Sequence, residues 1–311
     1  MFRYAARRIL RTLPVILGMT MIVFLMIHLV PGDPARSLLG PRAPEEALRA
    51  FNAEFGLDRP LWQQAAGYLG GLARGDLGTS LSYRVPVTDL IAGRLAPTLL
   101  LLLAGAVLAV LLTVPLALAA AVREDQPLDH AVRMVPLIGL GMPAFWIAIL
   151  LLIHVALPVR WLPVGGWGTG PSEIAAALLL PAVTVAVGIL PFTVRSLRAA
   201  LLEVMSADFI ATARAKGLSG GRVLIAHGLR NAIIPMITVL GLSMGWLVGN
   251  TLIVEKVFSI PGLGALMIDA VLEGDFAVVQ SLALVFGMLV VAVNLAADLV
   301  RAALDPRMQL R

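Results

Sequence analysis

The chain reads as an all-α integral membrane protein with six transmembrane helices and a helical extracytoplasmic cap after the first span. Three observations lead there. Hydrophobic residues make up 59% of the 311 residues and charged residues only 14%, with a mean hydropathy of +0.92. Six apolar runs, near 9–30, 97–122, 134–157, 175–194, 231–254 and 279–300, approach or exceed the roughly 20 residues that a helix needs to cross about 30 Å of hydrocarbon. Basic residues gather in alternate connections, as cytoplasmic loops require. The organisation is then 1–30, a cytoplasmic amino terminus and first helix; 31–96, the cap; and 97–311, a five-helix core with a cytoplasmic loop at 195–230.

The first span follows Arg3, Arg7, Arg8 and Arg11 and leads into Val30-Pro31-Gly32-Asp33-Pro34. Its apolar stretch is too long for a secretory signal and lacks the small-x-small cleavage pattern, so it reads as an anchor. The 31–96 connection is too long for a bare turn. Within it, Pro44 before Glu45 and Glu46, with Gly56 beyond, marks one helix, and Pro60 before LWQQAAGYL marks a second. Its seven arginines are balanced by seven acidic residues and say little about topology. Phe51, Phe55, Trp62 and Tyr68 are read as packing the cap on itself and on the membrane surface, with contact to a substrate-delivering partner as the alternative.

The span centres carry no ionisable residue, and His28, His154 and Asp298 sit only near span ends. Carriers driven by protons or sodium are expected to show buried carboxylates, so the energy source is expected elsewhere. Pro14, Pro115, Pro143, Pro191 and Pro235 fall in or at the ends of spans, where a freed carbonyl can be re-satisfied by neighbours. Gly241, Gly245 and Gly249 give the fifth span a flat face for close helix approach, either within the chain or against a second, similar subunit.

The fourth connection holds Arg195, Arg198, Arg214, Lys216, Arg222 and Arg230, and Arg301, Arg307 and Arg311 close the chain. Both termini and this loop are therefore expected in the cytoplasm. The stretch Ala207 to Gly217, ADFIATARAKG, reads as a short helix: Ser206 as N-cap, Asp208 in the first turn, Arg214 and Lys216 in the last, and Gly217 at the left-handed C′ position. Helical spacing sets Phe209, Ala213 and Lys216 along one side, with Ile210 and Arg214 on a neighbouring stripe. Such a face suits a groove on another protein. The net charge of +5 is spread over membrane-flanking loops and lacks the clustered face of a nucleic-acid binder. Without cysteine there are no disulfides or thiolate metal sites. With lysine only at 216 and 256, the chain has no phosphate-binding loop of its own.

Several segments carry a resemblance: RRILRTLPVILGMTMIVFLMIHLVPGDPA, FGLDRPL, GDLGTSL, GMPAFWIAILLL with WLPVGGW, FSIPGLG at 258–264, and above all TARAKGL at 212–218 followed by LRNAIIP at 229–235. Together they resemble the membrane-spanning permease of a binding-protein-dependent ABC importer of the dipeptide/oligopeptide type, with the type I importer fold. Ala211 stands where the general coupling motif of such permeases has Glu, and Leu229-Arg230 where it has Leu-Pro; both departures fit the peptide subfamily. The resemblance implies a non-catalytic permease subunit that moves dipeptides or oligopeptides into the cell across the cytoplasmic membrane. It implies no cofactor or metal on this chain, with ATP and Mg on partner subunits. The implied partners are a second homologous permease, two cytoplasmic ATPase subunits or domains, and an extracytoplasmic substrate-binding protein. By the same resemblance Asp208, Phe209, Ala213, Arg214, Lys216 and Gly217 would meet an ATPase; Pro143, Trp146, Met244 and Asn250 are candidates to line or gate the path, with ordinary span packing as the equal alternative. The cargo stays open among peptides, glutathione, nickel and haem, a neutral path suiting zwitterionic peptides.

Overall fold

The structure, a computed structural model, describes residues 13–25, 36, 40, 42–54 and 56–304. Among them there is no named strand, only an isolated bridge between Thr79 and Pro86. The helices are α1 Leu13–Leu25, α2 Glu45–Glu54, α3 Leu61–Ala73, α4 Val87–Val122, α5 Pro127–Leu140, α6 Ala144–Leu151, α7 Pro171–Met205, α8 Asp208–Ala215, α9 Gly220–Arg222, α10 Arg230–Val257, α11 Leu263–Glu273 and α12 Phe276–Leu304. A π-helical turn, Leu152–Ala156, extends α6, and another, Val223–Leu229, joins α9 to α10.

Each of the six apolar runs holds helix. Four are long and apolar enough to cross a membrane, at Val87–Val122, Pro171–Met205, Gly220–Val257 and Phe276–Val300; α1 is a shorter apolar helix inside the first run. The third run differs from the single rod expected over 134–157: α5 and α6 meet at a bend of 102°. The cause is local. Pro143 has no amide hydrogen to donate and disfavours helical backbone at Met142, so the chain closes on Gly141 and restarts at Ala144. Two other helices outrun the hydrocarbon. α4 starts at Val87 rather than 97, and α7 continues to Met205 rather than 194, because Arg, Leu, Ala and Glu keep good helix propensity after apolarity ends.

The chain divides into two compact units, one built on Leu99–Ile260 with the segment from Val290 onward, the other on the segment up to Thr98 with Pro261–Leu289. In the first, α7 is the axle: 67% of its most apolar stretch is buried, against 28% and 33% for the corresponding stretches of α4 and α10. Ala117 on α4, Leu197 and Leu201 on α7, and Ala232 and Met236 on α10 form one buried cluster. Ala120, Val132 and Val194 join α4, α5 and α7 in a second, and Thr113 and Thr193 share a buried hydroxyl hydrogen bond of 2.6 Å. On the far side of α4, Leu99, Leu103, Val107 and Leu111 recur every fourth residue and stay exposed, as a lipid-facing stripe does. Gly241 and Gly245 meet α12: a Cβ on Gly241 would lie 2.5 Å from Ala297 Cβ and one on Gly245 3.4 Å from Val290, while one on Gly249 would meet nothing within 4 Å. Close packing within the chain therefore accounts for two of the three glycines.

The second unit carries the cap. Its two helices fall where Pro44 and Pro60 place them, and Gly56 turns the chain between them at φ +66°. Tyr68 stacks on Phe24 of α1 at 5.8 Å between ring centres, and burial pushes its phenol up to about 12. Phe51 is half-buried, Trp62 is exposed, and Phe55 lies outside the described residues. The segment after α3 is pinned by buried Asp275, which accepts from Ser80 Oγ at 2.6 Å and from the Ser82 amide at 3.0 Å. Ser281 Oγ donates to the Leu77 carbonyl, and the Leu263 amide donates to Thr98.

Candidate functional site

The helix of the fourth connection forms almost where its sequence places it. The correction is at its start. Ser206 stays in helical geometry as the last cap of α7, and its hydroxyl donates to the Glu203 carbonyl; Ala207, extended at φ −75° and ψ 150°, holds the N-cap position with no side-chain bond. The end is as expected. Gly217 sits at φ +81°, its amide donates to Arg214 O at 2.9 Å, and the Leu218 amide donates to Ala213 O at 3.4 Å. These two bonds make a complete Schellman stop. Leu218, beyond the glycine, packs on the same cluster as Ala213.

That cluster decides which way the helix faces. Ile210 at 1% exposure and Ala213 at 7% lie against Val223, with Met205 and Leu218 alongside, so α8 folds back onto the chain that follows it. The stripe expected to hold Phe209, Ala213 and Lys216 together is split, because the i,i+3 pair 210 and 213 defines the inward side. Ala213 therefore serves the interior of the hairpin. Asp208, Phe209, Arg214, Lys216 and Gly217 face outward, and Phe209 keeps 47% of its surface exposed. Phe209 is thus a large exposed ring beside Asp208, on a helix whose Ile210 and Ala213 are already buried.

A second feature near this hairpin has no signal in the sequence. Asp129, in the first turn of α5 and fully buried, accepts from Arg198 Nε and Nη2 at 2.5 Å each and from the Asp125 amide at 3.0 Å. Arg133 Nε lies 3.7 Å from the same carboxylate. Each residue is unremarkable alone; the pairing spans 69 positions.

At the bend between α5 and α6 lies a cavity of about 220 Å³. Gly139, Pro143 and Ile147 line it from the broken span, Thr184, Val185 and Gly188 from α7, and Trp246, Asn250 and Val254 from α10. No charged residue is in the lining, and the polar groups are partly committed: Thr184 Oγ1 donates to Leu180 O and Asn250 Nδ2 to Trp246 O. Of the four residues expected on the path, Pro143 and Asn250 line this cavity, and Trp146 and Met244 are not in its wall. Trp246 is, two positions from Met244 and so about 200° round the helix. It packs where a Cβ on Gly188 would come within 2.5 Å of the indole. Its volume is below the 300 Å³ or so usual for ligand pockets.

Comparison with known proteins gives two profile matches: "Binding-protein-dependent transport system inner membrane component" over residues 113–310, and the corresponding amino-terminal profile over residues 1–102. The oligopeptide transport system permease protein AppB of Bacillus subtilis (strain 168) is 35% identical over 315 aligned residues, covering 99% of this chain and all of AppB. The glutathione transport system permease protein GsiC of Escherichia coli (strain K12) is 36% identical over 306, covering 98% of each. A solved structure of the MetNI methionine ABC transporter, in an inward-facing conformation, superposes with a TM-score of 0.57 at 19% identity, over 70% of this chain and 96% of that one. The last likeness speaks to fold alone.

Proposed function

Because the chain belongs to the binding-protein-dependent transport system inner membrane component family, and is thus a multi-pass integral membrane transport subunit, we propose that it is the permease of an ATP-driven importer of dipeptides or oligopeptides. One observation carries the coupling half of this reading: the exposed Phe209 on α8, a helix whose Ile210 and Ala213 turn inward onto Val223. The hairpin docks in a groove on a cytoplasmic ATPase through Asp208, Phe209, Arg214, Lys216 and Gly217. Both chain termini lie on that same side, with the arginines of the fourth connection.

When two ATPases close around ATP and Mg, held on those partners and not on this chain, the docked hairpin moves, and α7 and α10 carry the motion as rigid bodies. A second, related permease completes the path, and an extracytoplasmic binding protein delivers the substrate. Widening at the cavity between Pro143, Gly188 and Trp246 admits it; no covalent chemistry takes place on this chain. The uncharged lining suits a zwitterionic peptide, whose two charges cancel, better than a free metal ion. The AppB and GsiC likenesses support peptide cargo in the same sense, glutathione being itself a peptide.

The test is uptake of a labelled dipeptide in cells lacking this chain, with and without its restoration, and with unlabelled glutathione or a longer peptide as competitor. Uptake that returns only with the intact chain supports the reading. Uptake unaffected by deletion removes dipeptide cargo, and competition by glutathione alone moves the assignment to that substrate.

A further inference from the structure

Arg198 lies on α7 between the cavity residues Thr184, Val185 and Gly188 and the hairpin that begins at Ser206. Asp129 lies at the start of α5, whose other end, Gly139, is in the cavity wall. The contact between them is a fork: two guanidinium donors on one carboxylate, with the Asp125 amide on the same group and Arg133 close by. The side chain of Arg198 is 13% exposed and that of Asp129 not at all. Beside it, Ala120, Val132 and Val194 supply ordinary apolar packing, which tolerates sliding. A bidentate pair does not, because a small rotation breaks both bonds at once. As a source of stability a buried ion pair is poor compared with apolar residues of the same size, so its directional rigidity is what distinguishes it here.

We infer that Asp129 and Arg198 form a clasp that makes α5 travel with α7, delivering hairpin motion to the cavity wall at residues 139–143. The third span gives at its break. α5, held to α7, moves as one piece with it; α6 begins again after Pro143 and need not follow. Asp129 and Arg198 touch no substrate and are positioning residues. The inference rests on the coupling reading above, and the experiment separates the two.

The chain has no cysteine, so label sites can be introduced singly. In the transporter assembled with its partner subunits in proteoliposomes, Ala131→Cys with Ala199→Cys, both exposed, report the distance between α5 and α7 by paired spin labels. Thr212→Cys with Arg123→Cys, also exposed, report hairpin motion against the end of α4. Between nucleotide-free and ATP-analogue states the 131–199 distance is expected to stay fixed while the 212–123 distance changes. In Asp129→Asn the 131–199 distance becomes state-dependent, and peptide moved per ATP hydrolysed falls about tenfold with hydrolysis held within about twofold. Arg198→Lys keeps the charge, loses the fork and falls in between. A 131–199 distance that already varies in the parent, or Asp129→Asn with parental transport per ATP, overturns the clasp alone. A 212–123 distance that never changes overturns the coupling reading and the clasp with it. The parental distances need no substitution at the pair, so they decide the matter even where Asp129→Asn does not assemble.

Discussion

The hairpin of residues 206–229 gathers Ile210, Ala213 and Val223 inward and turns Phe209 and its charges outward. The wall around the broken third span carries no charge and meets its neighbours through glycine. In the hairpin the chemistry of a side chain decides, since its outward surface is exposed and, on the coupling reading proposed above, must match another protein. Around the cavity volume decides, since a single methyl at Gly188 already collides with Trp246. The first region is a hairpin whose core is small and local. The second is a wall in which a methyl at Gly139 or Gly188 fits only if Val187 or Trp246 shifts.

The largest effect expected from this contrast is at Gly217. A Cβ there meets nothing within 4 Å, so Gly217→Asp creates no clash; its cost is the positive φ together with a negative charge at a helix C-terminus, about 1 to 2 kcal/mol in all. That is too little to unfold a membrane protein and enough to disturb the Schellman stop that aims the hairpin. Uptake should be abolished with membrane levels unchanged, and uptake at the parental rate would remove α8 as the coupling element. Next come two adjacent residues with opposite consequences. Phe209→Ala should leave thermal unfolding nearly unchanged while weakening ATPase binding by about 2 kcal/mol, roughly 30-fold. Ile210→Ala, fully inward, should cost about 2 to 5 kcal/mol of local hairpin stability and raise proteolytic nicking near 207–218. Equal stability losses at both positions would mean that the hairpin has no inside and outside.

The same contrast governs what could be read in the chain. The hairpin's C-terminal stop, its charge placement and both cap helices follow from Gly217, Gly56, Pro44 and Pro60, whose effects are confined to their own backbone. Ser206 misleads because the preceding helix runs on past the apolar span and takes the serine for its own last turn. Ala213 misleads because the inward direction of a short helix depends on Val223, which lies after the turn. The break at Gly141-Met142-Pro143 is spelled in the sequence, yet proline is often tolerated inside membrane helices, and only packing decides between a kink and a bend of 102°. The Asp129–Arg198 pair, the place of Trp246 in the cavity wall and the π-helical turn at Val223–Leu229 depend on tertiary packing. No local pattern announces them.

The smallest expected effects are in the glycine row of α10, and they sharpen the comparison most. Gly241→Ala sets a Cβ 2.5 Å from that of Ala297; neither can rotate away, so α10 and α12 must part, at about 1 to 3 kcal/mol. Gly245→Ala, at 3.4 Å from Val290, should cost less, the valine having a rotamer to give. Gly249→Ala meets open space within the chain and gains helix propensity, so the isolated subunit should unfold at the same temperature or slightly higher, by at most about 1 kcal/mol. Unfolding of the purified chain in detergent ranks the three, and a Gly249 variant as damaged as Gly241→Ala would contradict the packing described for this wall. Uptake by the assembled transporter then uses the same variant for a second purpose. Gly249 stands beside Asn250 on the helix that carries Trp246, and a methyl that leaves the lone subunit intact but slows uptake a fewfold must be meeting something the lone subunit lacks. The row would then divide by function, with Gly241 and Gly245 seating the chain's own last helix and Gly249 reserved for the second permease.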